Sequence, residues 1–146
     1  MQYFTISELL RSDTAIAARL WNGASAEAER NMVSLVENIL DPLRIAWGRP
    51  ILVTSGYRCP AVNKLVGGVD TSQHLKGEAA DISAINPEDN RALARLAVEL
   101  GLHFDQLINE KNWSWVHISY KSSGENRRQL LRFDGKKYYV MQEDEI

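Results

Sequence analysis

The ten-residue stretch from Ser72 to Asp81 combines the residue types best suited to bind a metal ion. It holds an imidazole, His74, and a carboxylate, Asp81, separated by six residues. Both groups are suitable ligands for a borderline cation such as zinc. Gly77 lies between them and permits a tight loop that returns the chain towards His74. Asp81 falls in a short apolar strand, where a carboxylate needs a partner that a metal ion would supply.

A second stretch, residues 113–120, offers a third ligand. As a strand it places His117 on the same face as Trp115, while Val116 and Ile118 face the core. Together with the imidazole and the carboxylate of the first stretch, this histidine completes a set of three protein ligands. Such a set leaves a fourth zinc position for water, which is typical of a catalytic site, whereas structural zinc usually has four protein ligands.

These residues also carry a family resemblance. The pattern Ser72-x-His74-x-x-Gly77-x-Ala79-x-Asp81, followed by Trp115-Val116-His117, resembles the zinc D-Ala-D-Ala carboxypeptidase-like family. That family includes cell-wall DD- and LD-peptidases, dipeptidases and phage endolysins, and it shares its fold with the hedgehog signalling domain. The segment from Thr54 to Pro60 resembles the part of the family ahead of the first ligand, and the likeness covers roughly residues 30–120. We interpret the chain as a phage- or prophage-type member.

The resemblance implies a role for each matching residue. His74, Asp81 and His117 would be the zinc ligands. Arg58 would be a catalytic residue that steadies the substrate carbonyl or the developing oxyanion, and it would also contact substrate. Ser72 would lie near the bound peptide. In plainer alternatives, Arg58 pins a loop and Ser72 only caps a turn.

The general base is the point at which this sequence departs from the family. Many relatives have Glu or Asp three residues before the last histidine, a position held here by Ser114. The nearest upstream carboxylate is Glu110, and a two-residue turn at Lys111–Asn112 would fold it back towards the metal. We therefore assign Glu110 as the catalytic base, with Asp105 and Glu78 as alternatives. A solvated charge at a strand end is the plainer interpretation of Glu110.

The predicted elements give an α+β fold, with helices packed on a small, mainly antiparallel sheet that carries the zinc site. One domain is expected over residues 1–146, with helices in 7–47, a motif-bearing core in 48–120 and a terminal hairpin in 121–146. Hydrophobic periodicity and capping residues predict helices over 7–20, 26–47 and 86–100, with Pro42 kinking or splitting the second. β-prone runs predict strands over 51–54, 79–83, 106–110, 113–120, 130–133 and 137–141.

The amino-acid composition and charge limit the functions that we expect of this protein. Hydrophobic residues make up 45% and charged residues 25%, as in ordinary soluble domains. The 17 Lys and Arg nearly balance the 19 Asp and Glu, so a nucleic-acid partner is not expected. No apolar run is long enough to span a membrane, and the N-terminus lacks the features of a secretory signal. We expect the protein to be made in the cytoplasm, to be monomeric and to reach the cell wall through phage lysis.

The resulting hypothesis is a zinc-dependent peptidase that hydrolyses peptide bonds in bacterial peptidoglycan. It would act as a D-Ala-D-Ala carboxypeptidase-like enzyme or as an endolysin endopeptidase. Two alternative functions are compatible with the same fold but involve no catalysis. One is a zinc-bearing binding module, as the hedgehog relatives suggest, and the other is a phage structural component with vestigial ligands.

Overall fold

A computed structural model describes residues 1–146 and contains a six-stranded sheet. The strands follow the spatial order β1-β2-β4-β3-β5-β6, and every neighbouring pair is antiparallel except β3 and β5. This arrangement confirms the predicted α+β fold with a mainly antiparallel sheet. The strands are β1 (Ile51–Ser55), β2 (Ala79–Ala84), β3 (Gln106–Glu110), β4 (Trp115–Ser119), β5 (Gln129–Phe133) and β6 (Tyr138–Val140).

The helices lie mainly in the first half of the chain. None of them has both the length and the apolar character needed to cross a lipid bilayer. The α-helices are α1 (Ile6–Leu10), α2 (Asp13–Ala18), α3 (Ala26–Leu35), α4 (Asp41–Trp47), α5 (Pro60–Leu65) and α6 (Asn90–Glu99). Short 3₁₀ turns cover Gln73–Lys76, Pro87–Asp89 and Glu143–Glu145.

The single helix predicted over residues 7–20 is wrong, because the chain forms two short helices there. Arg11 leaves the helical region with φ −65° and ψ 128°, which ends α1. The Ser12 hydroxyl then accepts a hydrogen bond from the Ala15 N–H at 3.1 Å and starts α2. An N-cap serine inside the periodic pattern therefore restarts the helix instead of continuing it.

The second predicted helix forms over its full length, with an irregular middle. A π-helical turn, Val36–Leu40, joins α3 to α4 immediately before Pro42. Proline has no N–H and its ring clashes with the carbonyl four residues earlier, so the wider turn absorbs the misfit without breaking the helix. The apolar stripe survives this adjustment and forms much of the core through the fully buried residues Met32, Leu35, Val36, Ile39 and Leu40.

The two faces of the sheet have different roles. On one face, alternate apolar residues of the central strands pack against the helices, among them Ala80, Ile82, Val116 and Ile118. The other face is open and forms the floor of a cleft of about 1070 Å³. Because side chains alternate along a strand, Asp81 and His117 point to that open face.

The connection between β3 and β4 differs from the predicted two-residue turn. It spans four residues, 111–114, and pairs Glu110 with Trp115. Lys111, Asn112 and Trp113 adopt positive φ values of 47°, 56° and 63°, which non-glycine residues rarely do. The Asn109 side chain stabilises this left-handed run, since its Oδ1 accepts from the Trp113 N–H at 2.6 Å. The C-terminal hairpin of β5 and β6 forms as predicted.

Candidate metal centre

His74 is held in a fixed orientation by the backbone around it. It lies on the 3₁₀ turn Gln73–Lys76, where its own N–H donates to the Ser72 hydroxyl at 3.2 Å. Its ring is buried, and Nδ1 lies 2.6 Å from the carbonyl oxygen of Gly56. Because a carbonyl accepts hydrogen bonds, Nδ1 carries the proton and Nε2 of the neutral ring keeps a lone pair. Metal-binding histidines are oriented in this manner.

The free lone pair of His74 points at other ligand atoms. Its Nε2 is buried and makes no hydrogen bond, although Asp81 Oδ1 lies only 3.3 Å away. The His117 Nδ1 lies 3.1 Å from the same carboxylate oxygen. One ligand atom from each residue lies within 4.8 Å of the other two. An orphaned buried nitrogen facing a carboxylate oxygen favours a cation between them, so the three residues fit a bound metal ion.

Two features of the backbone bring the ligands together. In the antiparallel register of β2 and β4, Asp81 is directly opposite His117. Gly77 ends the turn that carries His74 with a φ of +73°, as the sequence predicts for a tight loop. A Cβ at Gly77 would lie 2.3 Å from the carbonyl oxygen of Ala28 in α3, so both backbone conformation and space require glycine there.

The charges around Asp81 favour its ionised form. Burial by itself raises the pKa of Asp81, but His74 and His117 outweigh that effect and hold the pKa well below its usual range. The guanidinium of Arg58 is a positive group on the other side of the carboxylate, with Nη2 at 3.6 Å from Asp81 Oδ2. The carboxylate thus presents Oδ1 to the histidines and Oδ2 to the arginine.

The two predicted substrate-binding residues, Arg58 and Ser72, also line the cleft. The Arg58 Nε donates to Ser55 Oγ at 3.2 Å and its Nη1 donates to Asn63 Oδ1 at 3.0 Å. These bonds hold the guanidinium in place beside Asp81. The Ser72 hydroxyl accepts the hydrogen bond that caps the His74 turn, so its visible contact is a structural one.

Glu110 lies at the end of β3 on the cleft face. It is two positions beyond Ile108, which is opposite His117, so Glu110 and His117 share that face. Burial raises the pKa of Glu110, and the Asp81 charge adds to this, while His117, Lys111 and Arg58 act in the opposite direction. A half-buried carboxylate with a raised pKa beside the metal ligands has the properties of a general base.

The two alternative bases are placed differently. Asp105 is fully buried and accepts two hydrogen bonds from the Arg127 guanidinium, each at 2.9 Å. Lys121 approaches the same carboxylate at 3.7 Å, so Asp105 is committed to ion pairs. Glu78 is buried and lines the cleft, where it forms neither an ion pair nor a side-chain hydrogen bond. Of the two, only Glu78 is free to contact a ligand.

The sequence reasoning missed the aromatic wall of the cleft. Phe133 and Tyr138 stack with ring centroids 4.5 Å apart, and both line the cleft beside Glu110. The parallel pairing of β3 and β5 places Phe133 opposite Glu110, and β6 places Tyr138 opposite Phe133. The alternation of inward-facing and outward-facing residues predicted the two strands of this hairpin. That alternation does not indicate which other strand of the sheet the hairpin pairs with.

The position of Arg58 leads to a prediction about metal affinity. Lysine keeps the charge but lacks the planar fork that contacts Ser55, Asn63 and Asp81 together. We expect Arg58→Lys to weaken zinc binding by roughly 10–100-fold, the usual effect of losing a group that orients a ligand. Competition with a chromophoric chelator measures the affinity. Arg49→Lys is the matched control because Arg49 is exposed and pairs with Asp89. Unchanged affinity in Arg58→Lys would mean that Arg58 does not position Asp81.

Two comparisons with known proteins agree with this geometry. Residues 2–119 match the family model described as Peptidase M15. The chain is also 33% identical over 84 residues to the zinc D-Ala-D-Ala carboxypeptidase of Streptomyces albus G. That alignment covers 56% of this chain and 31% of the relative, so the chain spans less than a third of the relative's length. The strands β5 and β6 lie beyond the matched residues.

Proposed function

Because the chain belongs to the peptidase M15 family, we propose that it is a zinc-dependent peptidase acting on bacterial cell-wall peptide. The observation that carries this proposal is the convergence of His74, Asp81 and His117 in a cleft, with the His74 Nε2 buried and without a hydrogen bond. These three residues would hold the zinc. When bound, the ion supplies Lewis-acid chemistry, polarising the scissile carbonyl and lowering the pKa of a water molecule.

Within that site, we assign the proton transfers to Glu110. Its carboxylate takes a proton from the attacking water and later delivers it to the nitrogen of the leaving amine. Burial supports this role, because a raised pKa brings the acid and base forms of Glu110 closer in energy near neutral pH. Arg58 stabilises Asp81 and, from the same cleft, would stabilise the developing oxyanion. Ser72 would lie alongside the bound peptide.

The substrate is proposed from the family and from its carboxypeptidase relative. A peptide of peptidoglycan would lie along the open face of the sheet, over Trp115 and towards Tyr138. The bond that is cut would be either a terminal D-Ala-D-Ala bond or an internal bond of the wall peptide, as in an endolysin. We further predict that the protein is released by phage lysis, that it forms a single domain and that it is monomeric.

One observation favours a zinc-bearing binding module as the second candidate. Ser114 occupies the position where many relatives have a carboxylate, and its hydroxyl donates to the Lys111 carbonyl at 2.7 Å. A serine hydroxyl is too weakly basic to accept a proton from water near neutral pH. If Glu110 does not act as the base, the site would bind metal and peptide without turnover.

Mass spectrometry of muropeptides separates the two candidates. Purified peptidoglycan peptides are incubated with the zinc-loaded protein, with the chelated protein and with no protein. The peptidase hypothesis predicts new fragments only with the loaded protein, and their masses identify the bond. An unchanged muropeptide profile in all three samples would contradict the peptidase and favour the binding module.

A further inference from the structure

The cleft is lined by six cationic side chains, and half of them are already neutralised by carboxylates. Arg58 pairs with Asp81, and both Lys121 and Arg127 pair with Asp105. The other three have no carboxylate within 4.0 Å: Lys76, Lys111 and Lys136. These unpaired ammonium groups add to the positive charge that a bound metal ion brings to the cleft.

Lys111 and Lys136 lie at the same end of the cleft. The Lys111 N–H donates to the Phe133 carbonyl at 2.9 Å, which ties the β3–β4 turn to the end of β5. Lys111 Cε lies 3.9 Å from the position that a Cβ on Gly135 would occupy, so its chain runs along the β5–β6 turn. Lys136 follows Gly135 in that turn, and its N–H donates to Asp134 Oδ1 at 2.8 Å.

The surroundings of this lysine pair restrict what it can bind. Both residues line the cleft and neither has a carboxylate partner, so an anion that contacts both would be attracted by two positive charges. Lys111 Nζ also lies 5.6 Å from the centre of the Trp115 ring, which lines the cleft. Glu110 is the adjacent residue in the chain, yet it forms no ion pair with either lysine. The pair is therefore available to a ligand lying next to the proposed base.

We propose that Lys111 and Lys136 form a carboxylate subsite of the cleft, so that the preferred peptide carries a carboxylate at the Glu110 side of the metal. This inference rests on the proposed function of the same cleft. The carboxylate has two sources in a peptide, the C-terminus and an acidic side chain. A C-terminal carboxylate in this subsite means that the enzyme removes terminal residues. Lys111 lies within the residues that match the family model, and Lys136 lies beyond residue 119, where that match ends.

The test is an equilibrium binding measurement, which does not depend on turnover. Zinc-loaded Glu110→Gln protein, chosen so that the peptide is not cleaved, is titrated by NMR. The ligands are N-acetyl-D-Ala-D-Ala, its C-terminal amide, and N-acetyl-D-Ala-D-Glu α-amide. The same titrations are made with a triple variant that carries Lys111→Met and Lys136→Met in addition to Glu110→Gln. The control adds Lys64→Met and Lys137→Met, which remove the same charge from positions outside the cleft.

We expect a peptide with a carboxylate to bind about fivefold to tenfold more tightly than the neutral amide, as two partly exposed ion pairs allow. The preference should disappear in the Lys111→Met/Lys136→Met protein and persist in the control. Tighter binding of the peptide with the free C-terminus identifies the C-terminal carboxylate as the group bound by the subsite. Tighter binding of the D-Glu peptide alone identifies the side-chain carboxylate. Equal binding of all three peptides, or a preference that survives loss of both lysines, overturns the subsite. Either result leaves the muropeptide test of the peptidase unaffected.

Discussion

Replacing His74 by alanine is expected to abolish stoichiometric zinc binding and, with it, hydrolysis. In the proposed site His74 supplies one of three ligands, and its Nε2 is a buried nitrogen without a hydrogen-bond partner. Alanine removes that ligand, and it also removes the hydrogen bond to the Gly56 carbonyl that orients the ring. Two ligands on neighbouring strands, Asp81 and His117, would remain, which is fewer than protein zinc sites normally have.

Elemental analysis measures this effect directly. The wild-type protein should contain about one zinc per chain, and His74→Ala should contain almost none. His103→Ala is the control, since His103 does not belong to the ligand cluster. Zinc should also raise the melting temperature of the wild type and not of His74→Ala, because a ligand that binds only the native state stabilises it. Equal zinc content in His74→Ala and the wild type would refute the ligand assignment.

Glu110→Gln should separate metal binding from catalysis. Glutamine has nearly the same shape as glutamate but cannot accept the proton from the attacking water. We expect full zinc content and a loss in kcat on the order of 10²-fold or more, the scale typical of a positioned acid–base group. The measurement is the rate of muropeptide cleavage under zinc-replete conditions.

The control for this prediction is Glu125→Gln, in an exposed loop outside the cleft. Cleavage by Glu110→Gln at the wild-type rate would show that the base is another residue. Glu78→Gln would then be the next variant, because that buried carboxylate lines the cleft without a partner. Asp105 is a weaker choice, since its two oxygens already accept hydrogen bonds from Arg127.

The part of the site that the sequence could predict depends on local rules. The spacing of His74 and Asp81 around Gly77 and the alternation along the strand of His117 indicated that three ligand atoms could converge. The structure places those atoms within 4.8 Å of one another. Helix periodicity likewise predicted the helix over residues 26–47, because its apolar stripe is independent of the π-helical turn near Pro42.

The features that the sequence could not predict depend on contacts between distant residues or on rare conformations. No residue type in Lys111–Trp113 signals three successive positive φ values, so the shorter turn was predicted. The parallel pairing of β3 with β5 joins segments about twenty residues apart, and it is this pairing that brings Phe133 next to Glu110. An N-cap such as Ser12 inside an apolar pattern is equally compatible with a continuous helix, which explains the missed break.

The close contact between Gly77 and α3 couples the metal centre to a helix that contributes no ligand. Because Gly77 rests against the Ala28 carbonyl, the turn that carries His74 cannot move towards α3 without displacing the first turn of that helix. Local opening of that helix and loss of the metal are therefore linked equilibria, and occupancy of the centre suppresses the fluctuations that let solvent reach the α3 amides. Metal release would thus be accompanied by faster hydrogen exchange of the α3 amides.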